Sequence, residues 1–248
     1  MLKWSHSRHE RPKNGKRLIA GALASIALAV MLCVAFLATA QDTKSPYPSM
    51  APLEQYLIVD QSAEVALARS AAPDSISGQA EVRVLTRHGY EAVAKGTNGF
   101  VCIVERGWTA DVGDPNFWNP KLRAPICFNA AAARSFLPRT IRRTELILGG
   151  RSEDQMFHAL EDEVSKGALP AIEAGSMCYM MSKQQYLGDQ PGHWHPHLMF
   201  FVQQTGPEAW GANEKGSPVF GFPEPVERLT TFMVPVRMWS DGTLDIEH

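Results

Sequence analysis

The order of the strand-like and helix-like segments is the feature of this sequence that most restricts its fold. Strand patterns occur in residues 81–106 and again from residue 176 onwards, and helical patterns lie before and between them. A parallel sheet requires strands that alternate with helices in βαβ units, and the sequence does not alternate in this way. It therefore predicts an α+β domain, with an antiparallel sheet of about six strands and helices packed mainly on one face of the sheet.

The six predicted strands form two groups of three. Residues 81–106 predict an antiparallel meander whose second and third strands are joined at Gly96–Gly99, because Asn-Gly readily adopts the positive φ angles of a tight hairpin. The second group consists of residues 176–182, 195–203 and 229–239. Two long connections, 107–128 and 204–227, contain Trp, Phe, Gly and Pro and are predicted as loops.

Capping residues mark the predicted helix boundaries. The sequence Ser-Glu-Asp-Gln from Ser152 is a capping box that predicts a helix ending at Gly167. Asn129 is predicted to cap a short helix that stops at Pro138, since proline lacks the amide hydrogen that a helix interior needs. Apolar residues at spacings of three and four predict a further helix over residues 53–70.

The N-terminal segment has the composition of an export signal. Residues 1–17 carry six basic residues against one acid, and the apolar run 18–37 is followed by Ala-Thr-Ala, the small-x-small pattern at which signal peptidase cleaves. We therefore predict that residues 1–40 are a signal peptide and that the protein is periplasmic or secreted. The apolar run is close to the roughly 20 residues that span a bilayer, so the alternative is that the segment stays uncleaved and anchors the protein. We expect no other contact with a membrane.

The remainder of the 248-residue chain is long enough for one domain with a substantial core. Residues 41–52 are predicted to be a mobile, Pro-rich lead-in, and residues 53–248 a single α+β domain. Six of the chain's 24 Lys and Arg lie in the leader, which leaves the exported part acidic. We expect no nucleic-acid partner, because such binding needs clustered basic residues, and the arginines at 139, 142 and 143 are predicted to form a solvated face.

Three cysteines follow the leader, and an oxidising compartment favours their pairing. We predict a disulfide between Cys102 and Cys127, because it would stabilise the Trp- and Pro-rich connection that separates them. Cys178 would then be a free, buried thiol. The other two pairings stay open, since sequence does not fix the distances that a disulfide requires.

The segment GHWHPHLMFF, residues 192–201, places three histidines at alternate positions. In a strand, alternate side chains project to the same side about 6.6 Å apart, so two neighbouring imidazoles can bind one metal ion. His193 and His197 would be about 13 Å apart on a straight strand, too far to share a metal. A site therefore needs one adjacent pair and a ligand from elsewhere in the fold.

His195 and His197 are the predicted metal-binding pair, because they lead directly into an apolar strand. Asp189 could orient an imidazole from outside the metal's coordination shell. The candidate completions of the site are His193, His88 and Glu105. Imidazole and carboxylate ligands suit zinc, whereas the methionines and the cysteine of residues 176–182 would favour copper. Histidines that act without metal, or that have no functional role, are the alternatives.

These features support three functional hypotheses. The first is an exported metal-binding α+β protein. The second is a non-catalytic periplasmic module that binds a small ligand or a partner and whose aromatic loops, Trp108–Trp118 and Trp210–Phe220, line the recognition surface. The third is a metal-dependent hydrolase, in which Glu105 or Asp189 would accept a proton from a metal-activated water.

Three segments carry a resemblance to other sequences. They are YEAVAKGTNGFVCIVERGW, APICFN and GHWHPHLMFF. Together they resemble a group of small exported bacterial proteins to which no activity is assigned. The resemblance covers most of the chain after the leader and implies export into a Gram-negative-type envelope, and it implies no chemistry.

Overall fold

The computed structural model describes residues 46–189 and 194–246, which belong to one contact unit, Ser45–His248. The predicted signal peptide and His193 lie outside the described residues. Within the described ranges, the helices all lack the combination of length and apolar character that crossing a membrane would require. Part of the lead-in contacts the domain, since the Ala51 N–H donates to the Tyr56 hydroxyl at 3.1 Å. The mobility of the lead-in stays a prediction.

The described residues form one mixed sheet of eight strands, in the order β2-β1-β3-β4-β5-β6-β8-β7. The strands are β1 (Glu81–Thr86), β2 (Gly89–Ala94), β3 (Val101–Glu105), β4 (Ala124–Phe128), β5 (Met177–Met180), β6 (His197–Gln203), β7 (Phe220–Glu224) and β8 (Leu229–Pro235). All neighbouring strands are antiparallel except β1 and β3, which are parallel. A mixed fold with a mainly antiparallel sheet is thus confirmed, but the sheet is larger than the predicted six strands.

The two additional strands, β4 and β7, lie in segments predicted as loops, and each contains a proline. Pro125 in β4 lies opposite Val104 of β3, outside the two residues through which β4 pairs with β5. Pro223 is in β7, an edge strand that pairs only with β8. Proline is tolerated at both places because, at that residue, the strand pairs with a neighbouring strand on one side only, so the missing amide hydrogen interrupts no hydrogen bond on the other side.

The predicted hairpin between the second and third strands is wrong, because β2 and β3 are not neighbours. The chain instead crosses the start of β1 through residues 95–100, where the Glu81 N–H donates to the Phe100 carbonyl at 2.9 Å and the Thr97 N–H to the Gln79 carbonyl at 2.9 Å. Gly96 packs so closely on this segment that a β-carbon would overlap the Glu81 backbone nitrogen. These contacts place β3 beside β1 in parallel.

Within the part of the chain that the structure describes, five α-helices accompany the sheet. They are α1 (Gln61–Arg69), α2 (Asp74–Ser77), α3 (Ala130–Ser135), α4 (Leu137–Leu148) and α5 (Glu153–Ser165). The predicted caps at Asn129 and Ser152 are confirmed. Helix α1 starts later than predicted because Asp60 caps it, accepting from the Ser62 N–H at 2.8 Å. Pro138 lies in the first turn of α4, where its missing N–H has no intrahelical partner, and so does not end helical structure.

Helices lie on both faces of the sheet, whereas the sequence predicted that they pack mainly on one face. Ala68 of α1 packs with the Cys102–Cys127 face of β3 and β4. Leu137 of α4 packs on the opposite face, against Ile126. The predicted disulfide between Cys102 and Cys127 is confirmed and joins β3 to β4, while Cys178 is buried and free.

Candidate functional site

A cavity of about 240 Å³ lies on the α4 face of the sheet. Its apolar wall is formed by Ile126, Phe136, Met199, Phe201 and Phe222. Phe222 is 42% exposed, which places it at the boundary between the cavity and solvent. The lining residues come from β3, β4, β6, β7, β8 and the α3–α4 region, so the sheet curls around this space.

The opposite wall is charged, and its centre is Glu227. This carboxylate is buried and accepts from Arg143 Nε at 2.8 Å, with Arg143 Nη2 also bound to the same oxygen. Its other oxygen, Oε2, lies 3.5 Å from Arg139 Nε. Neither Arg139 Nε nor Glu227 Oε2 has a hydrogen-bond partner in the described part of the chain.

The burial of Arg139 and Arg143 corrects the prediction of a solvated arginine face. Residues four apart lie on the same side of a helix, and this side of α4 faces the sheet. Arg142 lies on another side, partly exposed, and binds Glu163 at 2.7 Å. Arg143 Nη1 also donates to the Thr109 carbonyl at 2.7 Å, so its guanidinium is held firmly. The sequence signal for this cluster is the four-residue spacing of Arg139 and Arg143, which places both on one side of a helix.

Glu105 and Glu224 line the same cavity without a cationic partner. Glu105 is buried and, among the described residues, accepts only from the hydroxyls of Thr140, at 3.2 Å, and Thr109, at 3.4 Å. Glu224 is half-buried and accepts from the Thr231 hydroxyl. Among the described residues, no ion pair includes either carboxylate. Sequence reasoning identified Glu105 as a carboxylate that needs a partner, but it missed Glu224 and Glu227.

The pKa values of Glu105 and Glu224 are both raised to near neutral pH. Burial raises the pKa of Glu105 to about 7. Burial, and then the neighbouring charge of Glu227, raises the pKa of Glu224 to about 7. A carboxyl group with such a pKa can exchange a proton with a ligand near neutral pH. A cation that binds next to it favours the ionised form and so lowers its pKa.

The predicted histidine pair lies away from this cavity, near the C-terminal segment. His195 is partly exposed, and its Nδ1 lies 2.6 Å from Oδ2 of the buried Asp245. His197 is buried at the start of β6, with Nδ1 2.8 Å from the His195 carbonyl, and burial lowers its pKa. The bond to Asp245 fixes the His195 ring orientation. No sequence pattern around Asp245 indicated this contact.

The other predicted ligands are not brought to this pair. His88 is exposed on the β1–β2 turn, and four strand spacings, about 19 Å, separate β1 from β6. Glu105 lines the cavity, and the exposed Asp189 accepts from the hydroxyls of Tyr47 and Tyr186. Across residues 46–189 and 194–246, no group of three His, Cys, Asp or Glu side chains is arranged to hold a metal.

The aromatic loops differ in exposure. Trp108 is fully buried, donates from Nε1 to the Thr144 hydroxyl at 3.0 Å and packs against Tyr56, so it belongs to the core. Trp210 is 43% exposed and stacks on Phe232 with ring centroids 4.3 Å apart. The first loop therefore closes one end of the domain, and the second leaves a ring face accessible.

Comparison with known proteins finds no match: no protein-family model, no curated protein and no solved structure is similar to this chain.

Proposed function

We propose that this is an exported ligand-binding protein, and that its cavity encloses a small molecule with an apolar body and a polar end. The proposal rests mainly on two atoms at the cavity wall, Arg139 Nε and Glu227 Oε2, which face each other at 3.5 Å as an ion pair but make no hydrogen bond within the described part of the chain. A buried polar atom without a hydrogen bond costs about 1–3 kcal/mol, so a ligand that bonds to either atom recovers part of this free energy. Export, and with it a periplasmic or secreted location, is part of the proposal and follows from the leader.

The size and lining of the cavity support the same proposal. At about 240 Å³ it is slightly smaller than the pockets that hold drug-sized molecules, so it suits a smaller ligand. Phe136, Met199 and Phe201 supply an apolar surface for the ligand body, and the charged groups lie opposite. This combination of an apolar wall with a few convergent polar groups is typical of binding sites.

We expect 1-hexanol to bind saturably in this cavity. An NMR titration should shift the methyl signals of Ile126 and Met199, and a Met199→Trp variant should weaken binding at least about tenfold, because overfilling a pocket by a few atoms costs about 1–3 kcal/mol. The matched control is Leu198→Trp, because Leu198 directly precedes Met199 in β6 and projects to the face of the sheet opposite the cavity. Equal affinity in the wild type and both variants would place hexanol elsewhere and refute the proposal.

A second candidate function is transition-metal binding at His195 and His197, with zinc or copper as the metal. The observation that favours it is the 2.6 Å contact between His195 Nδ1 and the buried carboxylate of Asp245. Metal-binding imidazoles are commonly oriented in this way by a carboxylate on the opposite ring nitrogen. The third ligand that this proposal requires is His193, and because His193 and His197 are too far apart on a straight strand, the proposal also requires the chain to bend at Pro196 when the metal binds.

The metal proposal predicts that protein purified from its native compartment contains close to one equivalent of zinc or copper. A His195→Ala/His197→Ala variant should lose that metal, because at most one of the three proposed nitrogen ligands then remains. Elemental analysis of both proteins checks this, with His158→Ala on the exposed face of α5 as the control. The same metal content in the double variant would end this proposal.

A further inference from the structure

We propose that the ligand of this cavity carries a basic amine, which pairs with the carboxylate of Glu105 or Glu224. This inference rests on the proposed ligand-binding function and deepens it by naming the charge and chemical class of the ligand. It assigns the cavity to cationic amphipathic molecules, in which an aliphatic or aromatic body contacts the apolar wall and a protonated amine contacts the charged wall.

The first step of the argument is the distribution of charges around the cavity. Both arginines are already engaged by Glu227, which binds Arg143 through Oε1 and faces Arg139 at 3.5 Å through Oε2. Arg143 also donates to the carbonyls of Thr109 and Ala110, at 2.7 and 3.0 Å. Both guanidinium groups thus face Glu227, and the four carboxyl groups that line the cavity, those of Glu105, Asp111, Glu224 and Glu227, outnumber the two guanidinium groups.

The second step concerns the groups that face Glu105. The hydroxyls of Thr140 and Thr109 donate to its two oxygens, and Arg143 and Glu227 act on it from a distance with opposite signs. On the sheet side lies the thiol of Cys178, whose pKa is raised by burial and by Glu105. None of these neighbours neutralises an ionised Glu105, so a ligand cation is the missing partner.

The third step concerns the groups that face Glu224. Thr231 donates to it, Arg143 attracts it from a distance, and the carboxylates of Glu227 and Asp111 repel its charge. An anionic ligand would enter a space bordered by these carboxylates and would be repelled. A cation would be attracted by these carboxylates and repelled by Arg139 and Arg143, and the carboxylates are the more numerous charges around the cavity.

The surroundings of the cavity favour the entry of a cation. Asp111 is exposed and lines both the cavity and an adjoining recess of about 230 Å³, which Val112 and Pro223 also line. Glu224 and Glu227 border the same recess. Three carboxylates and one guanidinium group, that of Arg143, therefore line this recess, and net negative charge in a cleft raises the local concentration of cations.

Proton release should accompany binding of the amine. The pKa values of Glu105 and Glu224 are both raised to about 7, so each carboxyl is mainly protonated at pH 5.5 and mainly ionised at pH 8.5. An alkylamine stays protonated over this range. The affinity for an amine should therefore decrease as the pH decreases. If one carboxyl group must ionise for the amine to bind, the decrease between pH 8.5 and pH 5.5 is about 30-fold.

The test compares three probes of equal chain length, n-hexylamine, 1-hexanol and n-hexanoate, by NMR titration of the protein at pH 8.5 and 5.5. We expect hexylamine to bind at least about tenfold more tightly than hexanol at pH 8.5, hexanoate to bind most weakly, and only hexylamine to lose affinity at pH 5.5. A Glu105→Gln/Glu224→Gln variant should remove the preference for the amine and its pH dependence. Glu161→Gln, on the exposed side of α5, is the control.

Hexanol binding separates the failure of this inference from the failure of the proposed function. If hexanol binds in the cavity but hexylamine binds no more tightly, or hexanoate binds best, the ligand is not a cation and this inference is overturned while the ligand-binding function stands. If the double glutamine variant keeps its hexanol affinity, its cavity is folded, and an unchanged preference for hexylamine would also overturn the inference. If no probe binds, both proposals fail.

Discussion

Replacement of Glu64 by alanine should lower the free energy of unfolding by about 3–5 kcal/mol, because it leaves a buried guanidinium without its counter-charge. Glu64 Oε1 accepts from Arg106 Nη2 at 2.8 Å, and the two side chains are 1% and 0% exposed. The same oxygen accepts from the Leu85 N–H at 3.2 Å. One carboxylate thus connects α1 to the buried arginine after β3 and to the backbone of β1.

The environment of Arg106 explains why the effect should be large. Its Nε donates to the Tyr56 carbonyl at 2.7 Å, so the guanidinium is fixed in the interior and does not reach water when Glu64 is removed. A domain of this size is typically stable by about 5–15 kcal/mol, so the loss would be a large fraction of the total. Chemical denaturation followed by tryptophan fluorescence measures it.

Two further variants keep this prediction falsifiable. Glu54→Ala removes the partner of the exposed Arg87, and the denaturation midpoint should not change, because solvent screens such pairs. An Arg106→Met/Glu64→Ala double variant should be less destabilised than the sum of the two single variants, since the pair acts as a unit. Additive losses would mean that the two side chains are not coupled.

Removal of the disulfide should lower the free energy of unfolding by about 3 kcal/mol. Cys102 and Cys127 are separated by 25 residues, and a cross-link over a loop of this length restricts the unfolded chain by about that amount. Both cysteines are buried, so Cys102→Ala/Cys127→Ala avoids placing new polar groups in the core. Denaturation with and without dithiothreitol measures the difference.

The reductant provides the control for the disulfide. Dithiothreitol should destabilise the wild type and a Cys178→Ala variant by similar amounts, because Cys178 is free. It should leave the Cys102→Ala/Cys127→Ala variant unchanged. A reductant effect that persists in this double variant would contradict the assignment of the disulfide.

Local features of the fold were predictable because their causes lie within a few residues. The Ser152 capping box and the Asn129 cap depend on a side chain and a backbone amide three residues away. Strand segments such as β6 and β8 are identified by their own composition. By contrast, the prolines in β4 and β7 suggested loops, because whether a proline is tolerated depends on which strands lie beside it.

Strand order was decided by contacts that the sequence pattern does not contain. Gly96–Gly99 has the composition of a hairpin turn, but the loop instead bonds to the segment before β1 and to the first residue of β1, with the Asn98 side chain donating to the Ile76 carbonyl at 2.8 Å. The chain therefore crosses to the other side of β1. A turn sequence specifies a local backbone conformation, whereas the neighbour of a strand is set by packing across the whole sheet.

The candidate site shows the same division. By itself, the sequence determined the caps at Asn129 and Ser152, strands such as β6 and β8, and the need of Glu105 for a partner, because each of these follows from short spacings or from the chemistry of one residue. Only the tertiary structure decided that Arg139, Arg143, Glu224 and Glu227 meet Glu105 around one cavity. These residues come from β3, α4 and the β7–β8 region, which are far apart in the chain, and the physical reason that they meet is the curling of the sheet around α4.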